Sequence, residues 1–371
     1  MLKNEDFKLL KKVLYFDSAS AWIMPNAVSQ AWILYYKWQE EYWDILWDEW
    51  LDKVEITRKN VSKYLNCQKW EISFQVNTWT WMNIITSFFE KWDEIILNDL
   101  EFPTTNLPWI WKWFNLKYVK SRDFKIYIED IEKLITDKTK AIVISWVNTF
   151  TWYKIDLIKL SKICKENWIK LIVNASQWIW AYELNLDEIE IDFCVFTWYK
   201  RLLAWYWIAC LYVNKKNFWT QKYEIFNWWM SAKEPHDVVN DNLETKEDAR
   251  KFDIWSPHFA WIFALGEAIN YLNNIWLKKI EKKINELSFY LIKKLKENSI
   301  EITSPITFEN EISWIIYIKP KNFEDLKKYL IKNEVYVASY KNWIRISLHF
   351  YNSFEEIERL IDYIKNYYQY K

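Results

Sequence analysis

Asp192-Phe-Cys-Val-Phe-Thr-Trp-Tyr-Lys-Arg-Leu-Leu-Ala-Trp-Tyr-Trp-Ile-Ala-Cys-Leu-Tyr-Val213 sets one lysine, Lys200, in a short turn between two apolar runs. Runs of this length and composition read as buried strands. A lysine after a strand is usually solvated, so Lys200 needs context. Outward from it, further strands are predicted at Glu94–Asn98, Leu116–Val119, Ala141–Val147 and Lys170–Asn174, with Asp192–Thr197 and Ile208–Val213 flanking the lysine itself. Between two of them, Leu157, Leu160, Ile163 and Cys164 recur at helical spacing within Asp156–Asn167. Strands alternating with helices predict an α/β fold with a mostly parallel sheet. In such sheets ligands bind at the carboxyl ends of the strands. Lys200 follows one.

After Gly266 the texture changes. Leu277, Ile280, Ile284, Leu287, Leu291 and Leu295 form the stripe of one long helix. A strand (Ile312–Lys319), a helix (Phe323–Lys332), a strand (Ile344–Phe350) and a helix from Phe354 follow. The expected division is an N-terminal arm (1–20) packing on the small domain, a large domain (21–265) and a small C-terminal α+β domain (266–371). Residues 214–253 are charged and irregular and read as a surface excursion or interface segment.

The chain has 29 Trp and one Gly in 371 residues. A typical protein of this length has roughly 26 Gly. We read most Trp positions as glycine in the native protein, since some bacteria translate UGA as Gly. Trp343 in a turn between extended segments, Trp168 at a helix C-terminus and Trp92 before an apolar run stand where φ > 0 is wanted. An aromatic surface for sugars or single-stranded nucleic acid is the competing account.

Fifty basic and fifty acidic side chains balance, which argues against a nucleic-acid or membrane-surface partner. No apolar run approaches a membrane span of ~20 residues, and the charged start lacks a signal-peptide core. Cys67, Cys164, Cys194 and Cys210 form no CxxC pair, and three His are scattered, so no metal site is expected. The expected setting is a reducing cytoplasm.

With Gly for Trp, the centre of the opening stretch reads Thr-Gly-Tyr-Lys-Arg-Leu-Leu-Ala-Gly-Tyr-Gly-Ile-Ala. It resembles the lysine motif of class V aminotransferases, a branch of the fold type I pyridoxal-phosphate (PLP) enzymes. The resemblance implies a seven-stranded, mostly parallel sheet in the large domain. It implies PLP as cofactor and Lys200 as the catalytic Schiff-base lysine. Other segments match in the family's order over nearly the whole chain. Phe74-Gln-Val-Asn-Thr-Trp-Thr-Trp-Met-Asn83 resembles the phosphate-cradling turn, implying cofactor contacts from Asn77, Thr78, Trp79 and Thr80. Glu101-Phe-Pro-Thr-Thr-Asn-Leu-Pro-Trp109 resembles the segment whose aromatic residue, here Phe102, stacks on the ring. Trp109 is an exception to the glycine reading, because related sequences often carry Trp there. Asn148 and Thr149, at a strand end, are candidates to line the same pocket. Gln177 corresponds to the residue that bonds the cofactor's phenolic oxygen. Thr197 and Tyr199 align with phosphate contacts, Tyr199 replacing a usual His. Lys251-Phe-Asp-Ile-Trp-Ser-Pro257 resembles the stretch whose hydroxyl, here Ser256, reaches the neighbouring subunit's phosphate, which implies a homodimer. Trp343-Ile-Arg-Ile-Ser-Leu-His-Phe-Tyr-Asn352 resembles the carboxylate-binding stretch, with Arg345 clamping the substrate.

Asn174 departs from the family, which has Asp there to keep the pyridine nitrogen protonated. A neutral amide cannot supply that charge. The expected activity is transamination of a small amino acid. Desulfuration ranks second, because Glu334-Val-Tyr-Val-Ala-Ser-Tyr-Lys-Asn-Trp343 lacks the cysteine that desulfurating members carry before the carboxylate Arg. Epimerase or lyase chemistry, or a catalytically silent relative, stay open behind these.

Overall fold

The computed structural model describes residues 4–178, 184–200, 203–204, 206–218, 229–235, 244–253, 257–304 and 313–369. The chain opens with β1 (Leu14–Tyr15) and helices α1 (Asn26–Tyr42) and α2 (Trp47–Leu65). The large sheet contains β2 (Ile72–Gln75), β3 (Glu94–Asn98), β4 (Asn115–Val119), β5 (Thr139–Ser145), β6 (Lys170–Asn174), β7 (Phe193–Thr197) and β8 (Ala209–Val213). Helices α3 (Thr78–Ile85), α4 (Pro103–Ile110), α5 (Ile128–Glu132) and α6 (Leu157–Glu166) connect its strands. Then come α7 (Phe259–Ile275), α8 (Leu277–Glu297), β9 (Ile315–Ile318), α9 (Phe323–Lys332), β10 (Val335–Tyr336), β11 (Ala338–Tyr340), β12 (Trp343–Ser347) and α10 (Phe354–Gln369).

The seven strands lie in the order β2-β8-β7-β6-β5-β3-β4, and β8 alone runs against its neighbours. This is the α/β architecture the alternation implied. Its strands β3, β5, β6, β7 and β8 are buried almost throughout, as a sheet covered on both faces requires. One apolar cluster fills the side facing α2, α6 and α7, and another lies under α3 and α4. Strand β2 has no counterpart among the predicted strands. Four residues give too short a pattern, and its partner β8 lies far along the chain. Tertiary bonds hold it: the Asp253 carboxylate accepts from Phe74 N–H at 2.9 Å and from Ser73 Oγ.

The small domain packs β11-β12-β9 against α8, α9 and α10 around a third apolar cluster. Leu14 and Phe16 belong to that cluster, and β1 pairs in parallel with β10. The change of texture expected at residue 266 falls inside α7, which continues to Ile275. Gly266 marks the close approach of α7 to α2, since a Cβ there would meet Thr57 Oγ1 at 2.8 Å.

Six tryptophans have left-handed backbone: Trp43, Trp92, Trp152, Trp168, Trp207 and Trp276, with φ between 51° and 71°. An L-residue pays about 1–2 kcal/mol there. All but Trp152 also expose most of the indole. Trp343 behaves differently from expectation. It begins β12, and Lys341 (φ 51°) makes the turn instead. Trp168 follows α6, with Ile169 N–H donating to Cys164 O at 2.9 Å as a helix-ending turn requires. Its side chain is 93% exposed, so removal forfeits almost no packing. Trp168→Gly is therefore expected to stabilise the fold by about 1 kcal/mol, read as a higher urea midpoint. An unchanged or lower midpoint contradicts the strain.

Candidate active site

The strand ends create the site. β5, β6 and β7 run in parallel, so Ser145, Asn174 and Thr197 all finish at one edge of the sheet. A cavity of about 160 Å³ opens there, and Ser145, Asn174, Ser176, Gln177, Thr197 and Lys200 contribute to its wall. Helix α3 begins against it through Asn77, Thr78 and Trp79, while Phe102 and Thr104 enter from the start of α4. Val147, Thr149 and Tyr199 also line it. A larger hollow of about 240 Å³ lies between α2, β2 and the segment around Arg250. The smaller cavity is the candidate site, because it holds a buried amine and converging polar groups.

Lys200 is buried, and its Nζ lies 5.2 Å from the centre of the Phe102 ring. Burial and, after it, the Arg345 charge lower its pKa to about 8 against the opposing pull of Glu101. Roughly a tenth of the amine is then neutral and nucleophilic at pH 7, far more than of an ordinary lysine. Glu101 is itself buried and its pKa is pushed up by desolvation, against hydrogen bonds from Phe102 N–H and from Ser145 N–H and Oγ. Glu101 was not singled out in the sequence, although its segment was; its partner Ser145 comes from a distant strand.

Asn77 is the N-cap of α3, its Oδ1 accepting from Thr80 N–H at 2.8 Å. The N–H groups of Thr78 and Trp79 have no intrahelical acceptor and face an anion site by position. Gln177 Oε1 and Thr197 Oγ1 are buried without a hydrogen-bond partner among the described residues. Asn174 donates from Nδ2 to Thr105 Oγ1 at 2.9 Å and accepts Ser176 N–H on Oδ1 at 3.0 Å.

Two expected residues have their polar groups engaged elsewhere. Thr80 is tied into the cap through its hydroxyl and N–H and is absent from the cavity wall. Asn148 spends its carboxamide on backbone groups, accepting Phe150 and Thr151 N–H in its own turn and donating to the distant Leu100 O. Ser256 lies outside the described residues. Arg345 stands behind the cavity on β12, where Asp17 at 2.6 Å and Ser20 hold its Nη2 while its buried Nε has no partner among the described residues. Asp17 and Ser20 were missed because the N-terminal arm carries no motif of its own.

All four cysteines are described, and none lines the cavity. Burial raises every thiol, that of Cys164 to about 12. No group of three or more His, Cys, Asp or Glu suited to a metal occurs among the described residues. No described helix is long and apolar enough to cross a membrane.

A family model described as aminotransferase class-V matches residues 14–360, and the chain belongs to that family. It is 30% identical to a probable cysteine desulfurase of Borreliella burgdorferi, over 96% of this chain and 94% of that protein. A probable cysteine desulfurase of Ureaplasma parvum is 26% identical over 97% and 95%. The fold matches an apo cysteine desulfurase of Thermococcus onnurineus (TM-score 0.88, 22% identity, 98% and 96% of the two chains). It also matches the cystine C–S lyase C-DES in complex with its product cysteine persulfide (TM-score 0.86, 16% identity, 96% and 98%). The likenesses favour desulfurase-type chemistry over the transamination ranked first from the sequence.

If Arg345 sets part of the Lys200 pKa, Arg345→Met raises it, because removing a nearby positive charge favours the ammonium. Amine labelling of the apoprotein across pH, read by mass spectrometry at Lys200, is expected to show that upward move. A profile identical to wild type contradicts the coupling.

Proposed function

We propose that the protein is a PLP-dependent enzyme of the cysteine desulfurase type, and that it releases sulfur directly from a cysteine-like amino acid. The names of its nearly full-length relatives support the substrate class. One structural observation supports direct release: no thiol of the chain borders the cavity.

The residues present fit PLP. Lys200 offers an amine for its aldehyde, Phe102 a flat face for its ring, and the start of α3 unpaired N–H groups for its phosphate. Gln177 Oε1 and Thr197 Oγ1 are buried polar atoms awaiting partners. When bound, PLP supplies a carbonyl for amines and a conjugated ring that spreads the electron pair released at Cα. Arg345 orients the substrate carboxylate with its planar fork, exchanging Asp17 and Ser20 for the incoming anion. With PLP bound, Lys200 would be the amine that takes the proton from Cα onto Nζ. The electron pair of that C–H bond then forms the Cα–Cβ double bond, and the Cβ–S pair departs with sulfur. Water hydrolyses the resulting enamine to a keto acid and ammonia. For cysteine the sum is cysteine plus water giving pyruvate, ammonia and hydrogen sulfide, with no oxidant or reductant needed.

Supplying cysteine or cystine is expected to yield pyruvate and ammonia in equal amounts, with sulfide or persulfide. Alanine with a protein-bound persulfide contradicts direct release. Turnover of alanine with a keto acid, and none of cysteine, contradicts the substrate class. Lys200→Ala is expected to lower kcat by about 10²–10⁴-fold, the usual worth of a positioned proton carrier, and to remove the lysine-linked cofactor absorbance. An unchanged spectrum removes Lys200 from this role.

The homodimer is supported by the segment before Pro257, whose family counterpart reaches a neighbouring subunit. We also infer that most Trp positions are glycine in the native protein. The six left-handed tryptophans support this, five of them with exposed indoles. Trp79, which lines the cavity, is the position where the difference bears most on the site. Peptide sequencing of the protein from its own host tests this: Gly at those positions is expected, and Trp contradicts it.

A further inference from the structure

The small sheet turns one face to its own core and the other to the large domain. Its register pairs Arg345 with Tyr317 and Ala338, and Tyr340 with Trp343. Alternation puts these side chains on one face and Ile316, Ile318, Ile344 and Ile346 on the other, inside the third apolar cluster. On the Arg345 face, Tyr317, Tyr340 and Trp343 join the first cluster. Tyr340 meets Phe150 there, ring centres 4.9 Å apart and 33° from parallel. Phe150 in turn lies 6.5 Å from Phe102. A row of rings thus runs from the residue beside Lys200 to the hairpin that bears Arg345. Phe150 is pinned by its N–H, which donates to Asn148 Oδ1 at 2.8 Å, and its neighbour Thr149 lines the cavity. Phe150 and Tyr340 are half-buried. Lys200 is the one charged side chain on the described cavity wall. Lys341, its Nζ 5.6 Å from the Tyr340 ring, is exposed at the hairpin turn, where water screens its charge.

We propose that Phe150 and Tyr340 form the side-chain end of the substrate site and select substrates whose sulfur is uncharged, a thiol or a thioether, over those with an ionised side chain. This rests on the desulfurase-type reading above. With the amine directed to the cofactor, the carboxylate to Arg345 and the Cα hydrogen to Lys200, the side chain takes the fourth bond of Cα. The row of rings borders the space left between Phe102 and Arg345. Soft, polarisable sulfur gains contact against aromatic rings. A sulfinate or carboxylate in the same place gives up hydration and meets ring faces that carry negative charge density. None of the three rings is a tryptophan, so the selection is independent of the glycine reading. For a thioether the sum is S-methylcysteine plus water giving pyruvate, ammonia and methanethiol. The Cβ–S electron pair leaves with sulfur, and no oxidant or reductant enters.

The test titrates the PLP-loaded protein with S-methylcysteine and with cysteinesulfinate, reading each dissociation constant from the cofactor absorbance and each kcat/KM from pyruvate. The wild type is expected to favour S-methylcysteine by about tenfold or more in both readouts. Tyr340→Ala and Phe150→Ala are each expected to shrink that preference about tenfold, chiefly through KM, while Tyr340→Phe, which keeps the ring, retains it. A wild type that favours the sulfinate overturns the proposal. So does a Tyr340→Ala or Phe150→Ala protein that carries the cofactor on Lys200 and keeps the wild-type preference. If neither compound nor cysteine alters the cofactor spectrum of the wild type, the desulfurase-type reading beneath the proposal falls, a distinguishable result.

Discussion

A lysine side chain has been drawn out of water at a strand edge, with positive charge beside it and no carboxylate on the described wall around it. That constraint organises the molecule. Seven strands and their helices are needed to bury Lys200, and the small domain is needed to bring Arg345 near enough to disfavour its ammonium form. The N-terminal arm completes the arrangement from afar: Asp17 and Ser20 hold the guanidinium that would otherwise repel the amine unopposed. A buried amine with a lowered pKa has one evident chemical use, attack on a carbonyl.

Much of this was legible in the sequence, for identifiable reasons. Strands β3 and β6 begin and end where the apolar runs do, because a strand buried on both faces writes an unbroken signal. Helix α6 was legible from its stripe, and the structure adds that the Asp156 side chain caps it by accepting Lys159 N–H. Lys200, Phe102, Asn174, Gln177 and Thr197 were each visible by motif, and the fold gathers them. Strand β2 was hidden because Asp253, far along the chain, supplies its bonds. Asn148 looked like a pocket residue, being a polar side chain at a strand end, yet bonds to backbone groups consume it. The partners of Arg345 left no local trace, since a salt bridge spanning the chain has no sequence period.

The tryptophans show the two levels disagreeing. Composition and turn position led to the glycine proposal, whereas the chain as written holds six tryptophans at positive φ. Trp343 shows the limit of reasoning from position alone, since the neighbouring Lys341 took the left-handed turn. Trp109 sits wholly buried against Phe89 and Phe114, as a genuine indole would.

The central claim is that one amine captures the cofactor. Borohydride reduction of the PLP-loaded protein, followed by digestion and peptide mass spectrometry, tests it most directly. The account requires a single modified peptide bearing the cofactor's mass at Lys200. Label distributed over exposed lysines, with Lys200 unmodified, would contradict it.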